Sequence, residues 1–168
     1  MNAKSIKLTL SLLIAVCLFI GVAGNVYGET YKALKGIHEV KAVVDFRNSS
    51  AKAAAIHLDL LHKTYLDKNL TAIDAKPDFV IIFMGPAVKL ISTNREGVSA
   101  EDGKSLDAIA GIIANMKKDG IRLEVCEAAV NLMGVDTATI LPEIHHVPNG
   151  WISSIGYQLN GYALISDF

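Results

Sequence analysis

Apolar residues along this chain recur with two different spacings, and the spacings alternate. In HEVKAVVDF, residues 38–46, Val40, Ala42, Val44 and Phe46 fall on every second position, which predicts a strand. RNSS follows, a turn-forming cluster suited to capping a helix. From 51 to about 69, Ala54, Leu58, Leu61 and Tyr65 return at helical spacing, so this segment reads as a helix with one apolar stripe. DFVIIF, residues 78–83, is an unbroken apolar run between Pro77 and Gly85, the pattern of a parallel strand covered on both faces. Pro86 is placed to open a short helical turn over AVKLI.

The segment 92–103, STNREGVSAEDG, is polar and punctuated by glycine, and reads as an exposed loop. Leu106, Ile109, Ala110, Ile113 and Met116 then mark a helix, with Lys117, Lys118 and Gly120 at its end. IRLEVC is a third strand that runs directly into a helix over EAAVNLM, stopped by Gly134. An extended piece around EIHHV, a helix from about Asn149 to Gln158 and a last strand YALIS complete the chain. Strands alternating with helices in this way predict an α/β fold: an open, largely parallel sheet flanked by helices on both faces, flavodoxin-like and three-layered. No internal repeat or low-complexity linker interrupts it.

The amino terminus changes the picture. Lys4 and Lys7 precede an uncharged apolar run from Leu8 to Ala23, and small residues follow, which is the layout of a signal peptide with cleavage after Gly28. Left uncleaved, the same run is an anchor, though a short one for a bilayer that wants ~20 apolar residues. Cys17 lies inside the run after Val16, where a lipid-attachment cysteine would follow a small residue, so it reads as an apolar filler. The expectation is an exported, periplasmic protein with one domain over 29–168. Without residues 1–28 the 16 basic side chains become 14 against 17 acidic ones, a net charge of −3 with no basic stripe, and nucleic acid is not an expected partner.

Export leaves Cys126 as the one cysteine, so no internal disulfide is expected and the fold rests on burial. In open α/β sheets ligands gather beyond the carboxyl ends of the strands. DFRNSS, FMGPA and VCEAA all meet that description, and Cys126 lies on the third. A helix start favours a thiolate. Glu124, projecting to the same side of the strand, and the adjacent Glu127 oppose that effect, while Lys89 or Arg95 would offset them if folded over the site. The alternative is a cysteine that packs as a small hydrophobe.

Three stretches carry a resemblance: VIIFMGPAVKLI, with its Gly85-Pro86 exit from the second strand; GIRLEVCEAAVNLMGV around the cysteine; and LPEIHHVPNGWISSIGYQLNGYALI at the end. Over some 130 residues the chain resembles the DsrE/DsrF-like family of small sulfur-relay proteins. The resemblance implies a compact α/β fold assembled into homotrimers or homohexamers, with Cys126 in the place of the cysteine that carries sulfane sulfur as a persulfide. It implies a sulfur carrier more than a turnover enzyme, no cofactor, and a sulfur donor or acceptor, protein or small molecule, as partner. Glu127, Gly85, Pro86, His145 and His146 are the expected binding or auxiliary residues.

The histidines allow a second reading. Thiolate and imidazole suit copper or zinc, so Cys126 with His145 or His146 is a candidate metal pair in a non-catalytic oligomeric binding module. Adjacent strand residues point to opposite faces, so one of the two at most joins Cys126. His57 and His62 border the apolar stripe of the first helix and read as structural, and His38 as solvated. Trp151, Ile152 and Ile155 read as core or interface. Gly85-Pro86 lacks the glycine-rich continuation of a phosphate-binding loop.

Overall fold

The computed structural model describes residues 31–168. The expected leader over 1–28, with Cys17, lies outside the described residues. Residues Gly36–Phe168 form one compact unit. Its five strands are β1 (Lys41–Phe46), β2 (Asp78–Phe83), β3 (Arg122–Cys126), β4 (His145–Val147) and β5 (Ala163–Asp167). They pair in the order β4-β3-β2-β1-β5, and every pairing is parallel. The helices are α1 (Ala51–Tyr65), α2 (Lys68–Thr71), α3 (Ala100–Asp119), α4 (Glu127–Leu132) and α5 (Gly150–Leu159), with a 3-10 turn at Gly85–Lys89 after β2. The α/β, three-layer architecture expected from the spacing is the one observed.

Side chains alternate across the sheet. Phe79 meets Tyr65 of α1 edge-on at 5.5 Å, so Phe79, Ile81 and Phe83 face the layer made by α1 and α3, which pack on each other. Val80, Ile82 and Met84 face the other way, towards α5, which crosses β1, β2 and β3. β2 is central and buried on both faces, which is why its sequence is apolar without interruption.

Three boundaries differ from the spacing. The polar segment expected as a loop to 103 becomes helix at Ala100, because Ser99 Oγ accepts from the backbone N–H of Asp102 and its hydroxyl donates to the Asp102 carboxylate. The single helix expected over 51–69 is two, because Leu66 ends α1 and Asp67 caps α2, accepting from Asn69 N–H at 2.7 Å. That backbone bond, with a second from the Asn69 amide, holds the Asp67 carboxyl below the usual carboxylate range. The first strand begins at Lys41, so His38 precedes it and is exposed.

Candidate functional site

Register builds the site. Phe46 aligns with Phe83, and Phe83 with Val125, across β1, β2 and β3. The next residue of each strand, Arg47, Met84 and Cys126, therefore stands in one row at the carboxyl ends and on the α5 face. Neighbouring strands are about 4.8 Å apart, which puts Arg47 within side-chain reach of Cys126 across Met84. Above this row lies the start of α5. Asn149 Oδ1 accepts from Trp151 N–H at 2.9 Å, and Gly150 is buried directly against Met84 and Cys126.

These residues enclose a cavity of about 190 Å³. Arg47, Met84, Gly85, Cys126, Asn149 and Trp151 line it, and α4 closes one side with Ala128, Ala129 and Leu132. Cys126 is 5% exposed, so the thiol is buried as a residue yet forms part of the wall of a cavity. Its side chain makes no capping bond to α4. Trp151 is 61% exposed at the rim, and the Arg47 guanidinium lies over its ring at 5.7 Å. Arg47 is the one charged side chain of the lining.

Glu124 precedes Cys126 by two and shares its face, but its carboxylate is committed elsewhere. It is buried and accepts hydrogen bonds from the hydroxyls of Ser153 and Tyr157, the latter at 2.5 Å. Burial and the bond to Glu124 push the Tyr157 hydroxyl up to about 12. Below it, Arg122 donates to Asp78 at 2.7 Å and to the Tyr162 hydroxyl at 2.5 Å, and Tyr162 donates to Asp78 at 2.5 Å. This network fastens α5 and β5 to the amino end of the sheet, away from the thiol.

The other expected residues are dispersed. Pro86 is exposed at the second position of the 3-10 turn and does not line the cavity. Glu127 turns from Cys126 towards His146, with 3.6 Å between its carboxylate and Nδ1. His146 aligns with Val125, on the opposite face from Cys126, while His145 aligns with Glu124 and is exposed. Val147 is the residue that aligns with Cys126. Among the described residues no group of three or more histidine, cysteine, aspartate or glutamate side chains is arranged to hold a metal ion.

Lys89 lines a separate depression with Ser92 and Asn94, and Arg95 bonds the Ser92 carbonyl, so neither reaches the thiol. His57 and His62 pair with Asp167 at 2.8 Å and Asp119 at 2.7 Å, tying α1 to β5 and to α3. Arg47, Met84 and Asn149 were not singled out from the sequence. The signal that finds Arg47 and Met84 is their position one step past the strand ends, in DFR and IFM, in register with Cys126 of EVC; Asn149 carries no such mark.

A family model for the DsrE/DsrF-like family matches residues 41–166. Among solved structures, the chain is similar to a protein of unknown function, MTH1491, from Methanobacterium thermoautotrophicum. Identity is 15% over 76% of this chain and 99% of that one, with a TM-score of 0.57. The ychN protein of E. coli shares 12% identity over 77% and 99% of the two chains, with a TM-score of 0.51. BT1422 of Bacteroides thetaiotaomicron, a conserved protein of unknown function, shares 19% over 74% and 93%, with a TM-score of 0.50. These likenesses show the fold. No curated protein matches the chain.

Proposed function

The chain belongs to the DsrE/DsrF-like family, which is associated with sulfur relay, and from that premise we propose that it is an exported carrier of sulfane sulfur, held as a persulfide on Cys126. The observation that carries this reading is the placing of the one cysteine among the described residues on the wall of a cavity at the carboxyl end of the sheet. A persulfide donor R–S–SH passes its outer sulfur to the Cys126 thiol, giving Cys126–S–SH and R–SH. An acceptor thiol takes that sulfur in the same kind of step. No second cysteine of residues 31–168 stands by to trap the persulfide as a disulfide.

Two further parts of the proposal have separate support. Export rests on the basic and apolar pattern of residues 1–28, and it places the carrier in the periplasm. Assembly into homo-oligomers rests on uncovered apolar surface: Ile152, Ile155 and Leu159 of α5 are 69%, 56% and 83% exposed. Parallel strands are ordinarily covered on both faces, yet Leu164 and Ile165 of β5, on opposite faces, are both exposed.

Incubation of the protein with a sulfane donor, followed by intact-mass measurement, tests the carrier reading. The expected result is mass added in steps of one sulfur atom on the wild type and none on Cys126→Ser. No adduct on the wild type, or an equal adduct on the variant, overturns it.

A further inference from the structure

The mechanism above uses the thiol and leaves the Arg47 guanidinium without a task. Its Nε–H is spent on Asp45, at 2.9 and 3.0 Å from the two carboxylate oxygens. The two terminal nitrogens are not: among the described residues neither donates to an oxygen, and Nη2 approaches the cavity residue Met84, 3.9 Å from its Sδ. Arg47 is held in place twice, by Asp45 behind it and by the Trp151 ring beside it. A guanidinium fixed along one edge, with its other edge towards a small cavity, is a preorganised receptor for an oxyanion, because planar paired N–H donors match two oxygens of one acid group. The rest of the lining is apolar apart from Asn149 and the thiol. The side-chain oxygen of Asn149 already serves the α5 cap, leaving its amide N–H groups as further donors.

We infer that the cavity selects small sulfur donors that carry an oxyanion, with Arg47 as the positioning residue that holds the acid group while the sulfane sulfur faces Cys126. This rests on the carrier reading and names the class of substrate within it. Thiosulfate is the simplest member. The Cys126 thiolate attacks its outer sulfur, the new S–S bond forms on Cys126, and the old one breaks, with sulfite leaving on the electron pair; a total charge of −3 stands on each side. Asp45 limits the effect, since its carboxylate neutralises Arg47 in part and repels an incoming anion. The structure therefore makes two opposite forecasts for two adjacent side chains. Loss of Arg47 weakens the preference for anions, and loss of the Asp45 charge strengthens it.

Iodoacetate and iodoacetamide measure this preference directly on the full chain. They have nearly the same size and the same reactive carbon, and differ by a carboxylate. The readout is the ratio of their rates at Cys126, followed by intact mass. Relative to wild type, Arg47→Gln is expected to lower the iodoacetate-to-iodoacetamide ratio roughly tenfold, as loss of one charge-assisted contact implies. Arg47→Lys is expected to restore part of it, and Asp45→Asn to raise it. An unchanged ratio in both Arg47→Gln and Asp45→Asn overturns the inference, while sulfur loading of Cys126 from a persulfide donor still stands. Failure of both reagents to reach Cys126 in the native wild type overturns the inference and the carrier reading together. Because Asp45→Asn moves the ratio in the opposite direction, a fall caused only by a poorly folded Arg47 variant is recognised as such.

Discussion

Gly150 stands so close to Cys126 that a side-chain carbon built on it would lie 3.0 Å from the Cys126 Cβ and 2.9 Å from the Met84 Sδ. The Met84 thioether is the far part of a flexible side chain and can give way. The Cys126 Cβ is fixed to a buried strand and cannot. Glycine at 150 thus lets the start of α5 descend onto the row Arg47, Met84, Cys126 and keeps that row within one cavity.

Gly150→Ala is expected to lift the start of α5 or displace Met84 into the cavity. Overpacking of this kind costs about 1–3 kcal/mol. Denaturant unfolding should show the loss, and a neutral thiol reagent should react with Cys126 at a changed rate in the native protein. Unchanged stability together with an unchanged rate would show that the contact is not limiting.

Glu124 and Tyr157 give a stability that depends on alkaline pH. The Tyr157 hydroxyl is raised from 10.0 to about 12 by burial first and then by the bond to Glu124. The neutral phenol is the form the fold prefers, so its contribution is complete below pH 10, where the unfolded chain also holds the proton. It is lost as pH rises from about 10 to about 12. Tyr65 and Tyr162 are raised in the same direction, Tyr65 by burial and then the Asp119 charge, Tyr162 by burial and then its bond to Asp78. Tyr157 is partly open to water, so its share is discounted to about 1 kcal/mol. Thermal unfolding between pH 8 and 11.5 should show a steeper alkaline fall for the wild type than for Tyr157→Phe. Parallel curves would remove Tyr157 from the account.

The fold was legible because burial on two faces leaves a plain mark. DFVIIF is apolar at each position but its first because β2 is central, and IRLEVC passes straight into α4, so Cys126 could be placed at a strand end without coordinates. The cavity was not legible for a different reason. Arg47 shares the cavity with the thiol through strand register, which shows only once DFR, IFM and EVC are aligned, and Trp151 shares it through the crossing of α5, which leaves no local pattern in the sequence. The histidines misled in the opposite way. His145 and His146 lie shortly before Asn149 in sequence order, but β4 aligns them with Glu124 and Val125, two steps and one step short of the thiol.

Ser99 illustrates a signal that composition obscured. The polar stretch 92–103 contains an S-x-x-D cap, with the Ser99 hydroxyl and the Asp102 backbone and carboxylate bonded reciprocally. Ser99→Ala removes the acceptor for one of the unpaired N–H groups at the start of α3, a cost of about 1 kcal/mol. The expected result is a fall in Tm of roughly 3 °C. Ser99→Asp, which keeps an acceptor, is expected to lose less.

The outer face of α5 supplies the test of assembly. Ile152 and Ile155 are exposed and one helical step apart, and Leu159 continues the stripe. Their exposure means that replacing them removes little from the core of a single chain. Ile152→Glu combined with Ile155→Glu is therefore expected to leave the unfolding midpoint of the isolated subunit nearly unchanged while shifting the sedimentation-velocity mass towards that subunit. Buried against a second copy, each isoleucine would contribute about 1.5–3 kcal/mol, and introducing a carboxylate there would add an unpaired buried charge. A mass for the double variant equal to that of the wild type, across a hundredfold range of concentration, would mean that this stripe faces water in the assembled protein as it does in the single chain.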